Sequence, residues 1–368
     1  MNSYCRDIVT KMSNDYDLHY YHELVLNKSK YKSKGLTGLA NLGNKCFMNS
    51  ILQCLSNTLK LTDYFLSAKY KDDDFDQKNK RKSEYYLVLS YLNLIINAWE
   101  TNQVLKPKSF VENISKFVPK YFNLDQQDSH ECLMYILDYL HKALSYEIEV
   151  DIMGTVQNDT DVLMKQSLEQ WGKFYQNSYS NIIETFNGMF YNKVSCQNCP
   201  LKENIFEPFN CVSLNIPVSG STNLKNCLDT YFNEDEQISS WKCERCSGQG
   251  CVKSIKSWSL PNYLIIHLKR FTNNGDKINT HIDFPIEDLN LTEYISSDKN
   301  DPNNYIYSLY AVNYHSGTTG GGHYWSACKN LDKNWYLYND SDVSKLQNTS
   351  VLSKDAYILF YYRKYIKK

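Results

Sequence analysis

Two pairs of cysteines with the spacing Cys-x-x-Cys constrain the fold of this chain more than any other feature of its sequence. Cys196 and Cys199 form the first pair, and Cys243 and Cys246 form the second. Four thiolates are a ligand set of structural, tetrahedral Zn²⁺ sites. Residues 200–242 separate the pairs, more than in an isolated zinc ribbon, so a sheet must bring two hairpins together. The alternative is four unligated thiols left from a degenerate site.

The apolar pattern divides the chain into a helical first half and a strand-rich second half. Apolar residues at three- and four-residue spacing predict helices that begin at Cys46 and extend over 59–66, 85–99, 108–118, 125–143 and 163–174. Aromatic and β-branched runs predict strands from Phe186 onward, including 262–271, 305–314, 324–329, 335–338 and 356–362. Helices and strands segregated in this way are typical of an α+β fold.

Cys46 follows a glycine-rich loop that carries Asn41, and it begins a predicted helix with one apolar face. At a helix N-terminus, unpaired N–H groups and the helix dipole favour the thiolate, the nucleophilic form of cysteine. Far downstream, a glycine-flanked histidine, His323, precedes two aromatic-rich strands that end at Asn339 and Asp340. These are the partners that a nucleophilic cysteine needs. For Cys46 alone, a small buried thiol in a core helix is the plainer interpretation.

Seven segments, taken in order, resemble the ubiquitin-specific proteases, papain-like enzymes that release ubiquitin from proteins. GLANLGNKCFMNSILQ resembles the cysteine box of that family, and GGGHYWSACK resembles its histidine box. The other five are QQDSHECLMYILDYLH, FNGMFYNKVSCQNC, LPNYLIIHLKRF, YSLYAVNYHSG and AYILFYYR. The resemblance extends over residues 35–363, nearly the whole chain.

The resemblance implies a papain-like cysteine protease fold with a helical thumb, a β-sheet palm and zinc-bearing β fingers. We expect a catalytic domain over 35–366, with a thumb at about 35–185, fingers at about 186–260 and a palm mainly at 261–366. Residues 1–34 lie outside the match and are interpreted as a flexible or loosely docked extension. The charged run 69–84 is interpreted as an exposed loop.

The resemblance also implies a role for each candidate residue. Cys46 is the expected nucleophile and His323 its base. Asn339 is expected to orient the histidine, Asn41 to serve in the oxyanion hole, and Asp340 to occupy the polar position that follows the triad. Residues expected to bind the ubiquitin tail are Gln127, Asp128, Glu131, His315, Gly321 and Gly322.

Two physical arguments concern this tail-binding set. Asp128 and Glu131 match positions that face the tail in the family, and carboxylates are apt partners for its arginines. Acidic residues in a first helical turn also favour the helix dipole without any ligand, which is the plainer explanation of both. The glycines before His323 let backbone approach closely, as a site for a thin diglycine tail requires.

The implied activity is hydrolysis of the peptide or isopeptide bond after the last glycine of ubiquitin, through a thioester. Ubiquitin and ubiquitinated proteins are therefore the expected partners. Two alternatives stay open, namely a non-catalytic ubiquitin-binding scaffold and a protease for another ubiquitin-like modifier or an ordinary peptide. The chain departs from the family at Lys45, where threonine is usual, and at Phe47, where tyrosine is usual. Lys45 either lowers the pKa of the thiol or points to solvent.

Composition narrows the function classes further. A formal net charge of −1 argues against a general nucleic-acid binder. No run approaches ~18 consecutive apolar residues, and the N-terminus lacks the apolar core of a signal peptide, so neither a membrane span nor secretion is expected. We expect a monomer in the cytoplasm, the nucleus or both. There, 12 cysteines serve thiol chemistry and one structural Zn²⁺ rather than disulfides.

Overall fold

Helices form most of the first half of the chain. A computed structural model describes residues 31, 33–71, 83–122, 125–272, 274–299, 301, 303–318 and 320–364. The α-helices before the first strand are α1 (Cys46–Ser56), α2 (Leu59–Leu66), α3 (Tyr85–Glu100), α4 (Lys108–Ile114), α5 (Ser129–Leu144), α6 (Asp159–Tyr175) and α7 (Asn181–Phe186). Most of the predicted extension 1–34 and of the predicted loop 69–84 lies outside the described residues.

Strands dominate the second half. They are β1 (Gly188–Cys196), β2 (Lys202–Phe209), β3 (Val212–Asn215), β4 (Ser221–Asn223), β5 (Glu236–Lys242), β6 (Gln249–Ser259), β7 (Tyr263–Lys269), β8 (His281–Asp283), β9 (Leu289–Asn290), β10 (Ile306–Thr318), β11 (Gly321–Lys329), β12 (Trp335–Asn339), β13 (Asp342–Leu346) and β14 (Ala356–Lys364). One helix, α8 (Leu224–Asn233), lies between β4 and β5.

Helix α1 is the central helix of the first half. All of its residues are buried, because it packs against α5 on one side and against β11 on the other. Phe47, Ile51 and Leu55 have no exposed surface, and burying a side chain of this size stabilises the fold by about 1.5–3 kcal/mol. At the end of α1, the indole N–H of Trp99 donates to Ser56 Oγ at 2.9 Å. The helix is therefore packed along its whole length and hydrogen-bonded at its end.

Two long hairpins form an antiparallel sheet in the order β2-β1-β6-β5. The central pairing of β1 with β6 places Cys196 opposite Cys251. As a result, the β1–β2 turn and the β5–β6 turn meet at the same end of the sheet. This confirms the prediction that two hairpins of one sheet bring the cysteine pairs together.

A larger sheet has the strand order β13-β12-β11-β10-β14-β7-β3, with β9 on β10, and β4 and β8 pair in a separate two-stranded sheet. Its side chains alternate between two cores. Ile358 and Phe360 of β14 face the helices of the first half, whereas Leu359 and Tyr361 face the core that α8 covers. A sheet covered on both faces places β11 and β12 directly beside α1. Within the described ranges, no helix is both long and apolar enough to cross a membrane.

Several boundaries differ from the sequence predictions, among them the start of α6, which begins at Asp159 instead of residue 163. Helix α4 ends at Ile114 instead of residue 118, because the next residues form tighter i→i−3 hydrogen bonds, such as Phe117 N to Ile114 O at 3.1 Å. Helix α5 begins at Ser129 instead of 125, because the Asp128 carboxylate accepts from the first free N–H groups and caps the helix. At the hairpin before His323, β11 begins at Gly321 instead of residue 324, because Gly317 pairs with Gly322 inside the ladder.

Candidate active site

The turn before α1 brings Cys46 to the helix N-terminus. Gly43 and Asn44 both have positive φ, 79° and 52°, which reverses the chain direction just before the helix. Gly38, earlier in the same loop, lies against the turn after β12, where an added Cβ would come within 2.0 Å of the Ser341 carbonyl oxygen. Leu39 N also donates to Asp340 O at 2.7 Å. The cysteine loop and the end of β12 are therefore packed backbone to backbone.

His323 and Asn339 form a hydrogen-bonded pair on the neighbouring strands β11 and β12. The distance from His323 Nε2 to Asn339 Oδ1 is 2.6 Å. Because an amide oxygen only accepts, the ring carries a proton on Nε2, and the neutral imidazole has its acceptor at Nδ1. Among the described residues, no hydrogen bond joins this ring to Cys46 Sγ. Asn339 is thus placed to fix the tautomer of His323.

Asp340 points away from this pair, toward the cysteine loop. Its carboxylate accepts from Asn41 Nδ2 at 3.0 Å and from Asn49 Nδ2 at 2.8 Å. The Asn41 amide oxygen in turn accepts from Lys45 N at 2.8 Å. Both polar ends of Asn41 are therefore fixed, which preorganises its amide beside Cys46. Asn49 was not predicted as a site residue. An asparagine one turn after Cys46 on an apolar helix is nevertheless a sequence signal for a polar contact at this site.

The electrostatics of Cys46 differ from the expectation for a helix N-terminus. The thiol is 3% exposed, and this burial raises its pKa. A hydrogen bond from the Tyr324 backbone N–H lowers the pKa, and the Asp340 carboxylate raises it. Desolvation outweighs the backbone donors, so the helix N-terminus alone does not give this chain an ionised thiol.

Asp128 and Glu131 have different surroundings. One oxygen of the Asp128 carboxylate accepts from the N–H groups of His130 and Glu131, at 2.6 and 3.1 Å, and the other accepts from the Tyr357 hydroxyl. Glu131 is exposed, and its contact with Tyr135 OH at 3.0 Å lies at the surface. Of the two, Glu131 has the carboxylate that an incoming cation can reach.

The glycines before His323 are held close to two side chains. Gly322 N donates to Gln126 Oε1 at 2.6 Å, whereas Gln127, the residue selected from the sequence, follows it. An added Cβ at Gly322 would lie 2.4 Å from His315 Nε2, so only glycine fits there. Gln126 adjoins the predicted residue, and only the fold shows that its side chain reaches the hairpin. The assigned roles of Gln127, Gly321 and Gly322 stay predictions.

His315 lies beneath this hairpin and is 2% exposed. Its ring packs 4.4 Å from the ring of Tyr324 and 5.3 Å from that of Phe271, measured between centroids. Burial, with smaller contributions from Lys277 and His323, lowers the pKa of His315 to about 4. The ring is therefore neutral at physiological pH and supports the hairpin by packing.

The four paired cysteines converge at the end of the smaller sheet. Their sulfur atoms all lie within 4.8 Å of one another. The Cys196–Cys246 and Cys199–Cys243 sulfur separations are both 3.7 Å. A tetrahedron of thiolates with Zn–S bonds of about 2.3 Å has edges of about 3.8 Å, so these separations fit Zn²⁺.

Backbone N–H groups support the thiolates of this cluster. Asn198 N lies 3.3 Å from Cys196 Sγ, and Gly248 N lies 3.4 Å from Cys246 Sγ. Donors of this kind orient thiolate ligands and offset their charge. The cluster therefore has the donor atoms, the spacing and the supporting contacts of a metal site.

A cysteine at a helix N-terminus, next to a sheet that carries a histidine–asparagine pair, is the arrangement of papain-like proteins. Comparison with known sequences identifies the family within that class. A profile of the ubiquitin carboxyl-terminal hydrolase family matches residues 37–361. The chain belongs to this family, and the resemblance to ubiquitin-specific proteases is confirmed.

Individual relatives agree with this assignment. Ubiquitin carboxyl-terminal hydrolase 2 of Bos taurus is 35% identical over 340 residues, which cover 89% of this chain and 55% of that protein. The Gallus gallus protein of the same name is 35% identical over 344 residues, covering 89% of this chain and 93% of that one. Ubiquitin carboxyl-terminal hydrolase 21 of Homo sapiens is 28% identical over 368 residues, covering 93% and 63%. The chain thus spans about half the length of the bovine relative.

A solved structure shares the fold. The SAGA module of Ubp8, Sgf11, Sus1 and Sgf73, bound to ubiquitin aldehyde, contains a chain that matches with a TM-score of 0.70 and 24% identity. The match covers 98% of this chain and 76% of that one. It confirms the predicted α+β fold with thumb, palm and fingers.

Proposed function

We propose that this chain is a deubiquitinating cysteine protease that hydrolyses the bond after the C-terminal glycine of ubiquitin. The observation that carries the proposal is the His323–Asn339 pair, 2.6 Å apart, on strands that pack against the helix of Cys46. Membership of the ubiquitin carboxyl-terminal hydrolase family and the ubiquitin-bound state of a structural neighbour support ubiquitin as the substrate.

The proposed first step is acylation of Cys46. His323 takes the thiol proton at Nδ1, and the sulfur attacks the carbonyl carbon of the last glycine. Asn339 holds the imidazolium that forms, through the Nε2–H bond. The same proton then passes to the leaving amine, which departs as a thioester forms. Water activated by His323 hydrolyses the thioester and restores the thiol.

Asn41 and the backbone N–H of Cys46 are the proposed oxyanion donors. The developing charge on the carbonyl oxygen needs donors that are already in position, and each such donor contributes about 10²–10³-fold in rate. Asp340 accepts one amide hydrogen of Asn41, which leaves the second for the oxyanion. Asp340 thus acts on the reaction through the position of Asn41.

Of the two acidic residues, Glu131 is the one to which we assign contact with the ubiquitin tail. Ubiquitin ends in a basic tail, and an exposed carboxylate can pair with a guanidinium without first losing another partner. Asp128 already holds the start of α5 and the Tyr357 hydroxyl. We assign it the positioning of α5, with contact to the tail as a secondary role.

We also propose that Cys196, Cys199, Cys243 and Cys246 bind one structural Zn²⁺. When bound, the ion supplies a cross-link between two hairpins and no open coordination position for chemistry. The chain itself brings the four ligands together, since the β1–β6 pairing holds the two turns at one end of the sheet. The ion is therefore expected to contribute to folding and not to the chemical step.

A ubiquitin probe with an electrophilic C-terminus tests the proposed activity. Wild-type protein should form a covalent adduct at Cys46, and Cys46→Ala should form none while retaining ubiquitin binding. Binding without an adduct in the wild type would identify a non-catalytic scaffold. The absence of both would redirect the search to other ubiquitin-like modifiers or ordinary peptides.

A further inference from the structure

The lysine immediately before the nucleophile is buried. Lys45 is 2% exposed, which excludes the alternative that its side chain extends into solvent. Its Nζ donates to Gly43 O at 3.1 Å and lies 5.9 Å from the centroid of the Phe47 ring. Burying an ammonium group costs free energy, so lysine is rarely found in such a place without partners.

Burial and the neighbouring groups act in opposite directions on Lys45. Burial is the larger effect and lowers the pKa of Lys45, whereas Asp125, Cys132 and Cys46 favour the ammonium electrostatically. The ammonium also donates a hydrogen bond to the Gly43 carbonyl. Electrostatic attraction is mutual, so a cation favoured by the Cys46 thiolate also favours that thiolate.

The other charged and titratable groups near Lys45 or Cys46 come from three segments. Asp340, after β12, opposes ionisation of the thiol. His323 and the backbone N–H of Tyr324 lie on β11. Cys132 lies on α5. Lys45 is the N-cap residue of α1, directly before the nucleophile, where ubiquitin-specific proteases usually carry an uncharged threonine.

We propose that Lys45 is an electrostatic positioning residue whose buried ammonium stabilises the Cys46 thiolate from the N-cap position of α1. The thiolate then forms in part independently of His323, and the cation offsets the burial of the sulfur and the nearby Asp340 carboxylate. The consequence for catalysis rests on the proposed function. The ionisation of the thiol does not, because it requires no substrate.

The test is the pH dependence of Cys46 alkylation. Iodoacetamide is uncharged, and the thiolate displaces its iodide, so the rate follows thiolate population. The rate at Cys46 is measured by mass spectrometry of its peptide in wild type, Lys45→Met and Lys45→Arg. In Lys45→Met the pH midpoint of alkylation should rise by about one unit. At pH values below the midpoint, alkylation should then be about tenfold slower than in the wild type. Lys45→Arg should keep a midpoint near that of the wild type.

Two further variants make the result specific. Lys60→Met removes another buried lysine, one that pairs with Glu184 at 2.6 Å, and should leave the midpoint unchanged. In a His323→Ala background, Lys45→Met should still raise the midpoint. Far-UV circular dichroism confirms folding of each variant.

An unchanged midpoint in Lys45→Met would overturn the proposal. An equal rise in Lys45→Met and Lys45→Arg would also overturn it, because the effect would then come from packing and not from charge. If the wild type fails to react with the ubiquitin probe but the midpoint still depends on Lys45, the proposed function fails and this inference stands.

Discussion

Asn339 and Asp340 are adjacent residues that serve different parts of the site. Asn339 Oδ1 lies 2.6 Å from His323 Nε2, whereas the Asp340 carboxylate accepts from the side chains of Asn41 and Asn49. The opposite directions follow from the pleat at the end of β12 and from the positive φ of Asp340, 48°. In the proposed mechanism, Asn339 therefore acts on the base and Asp340 on the oxyanion donor.

The first prediction separates these two roles. Asn339→Ala should lower kcat by about tenfold to a hundredfold, because the imidazole loses the acceptor that fixes its tautomer. Asn339→Asp should remain active, since a carboxylate also accepts the Nε2 proton. Steady-state hydrolysis of a fluorogenic ubiquitin amide measures both.

Asp340→Ala is the companion variant. It should lower kcat by releasing Asn41, and it should also lower the pKa of the Cys46 thiol because a neighbouring negative charge is removed. Full activity in Asn339→Ala together with inactive Asp340→Ala would transfer the third triad position to Asp340.

A second prediction concerns Asp128 and Glu131. Glu131→Ala should raise KM in a salt-dependent way with little change in kcat, because its partner is remote from the scissile bond. Asp128→Ala should instead destabilise the protein by about 1 kcal/mol through the lost N-cap of α5. Urea unfolding and kinetics at two ionic strengths distinguish them. A fall in kcat alone for Glu131→Ala would contradict its binding role.

At the scale of elements, the sequence pattern predicted most helices and five strands of the larger sheet, but tertiary contacts set their ends. Residues 125–128, upstream of α5, are all polar and give no apolar signal for its start, so only the Asp128 cap shows where the helix begins. The strands on either side of this hairpin were predicted over 305–314 and 324–329, yet the pairing of Gly317 with Gly322 extends the ladder through the glycines. Strand β13 was not predicted, because its exposed edge carries few apolar residues.

The third prediction concerns the turns of the smaller sheet. Purified protein should contain one zinc per chain, measured by elemental analysis, and Cys243→Ser should lower both zinc content and folding stability. Cys251→Ser is the matched control, since Cys251 is buried on β6 opposite Cys196 but lies outside the four-sulfur cluster. Unchanged zinc content in Cys243→Ser would count against the site.

At the scale of the whole molecule, histidines join the helical half to the larger sheet. His130 of α5 stacks on His267 of β7, with ring centroids 3.9 Å apart and an interplanar angle of 9°. Burial lowers the pKa of both rings. The Asp128 carboxylate partly opposes this decrease at His130, whereas the Lys269 ammonium lowers the pKa of His267 further. Two stacked neutral rings pack well, but a protonated pair would repel across this interface.

The last prediction is that the protein loses stability as pH falls below about 6.5, the ordinary pKa of histidine. His130, His267 and His315 all have lowered pKa values in the folded state. As pH falls, the unfolded chain therefore binds protons before the folded protein does. The contribution of these three neutral histidines to folding stability is complete above pH 6.5 and declines as pH falls toward about 4, where His315 titrates in the folded state.

For His315 the linked loss between pH 7.5 and 5.5 is about 1 kcal/mol, from the shift of its pKa to about 4. Urea unfolding at the two pH values should therefore show a smaller loss, by about this amount, in His315→Phe than in wild type. His281→Gln is the control, because its partly exposed ring lies at the surface beside Asp283. If His315→Phe and wild type lose equal stability, His315 does not link proton binding to folding, and the acid sensitivity of the interface rests on the stacked pair of His130 and His267.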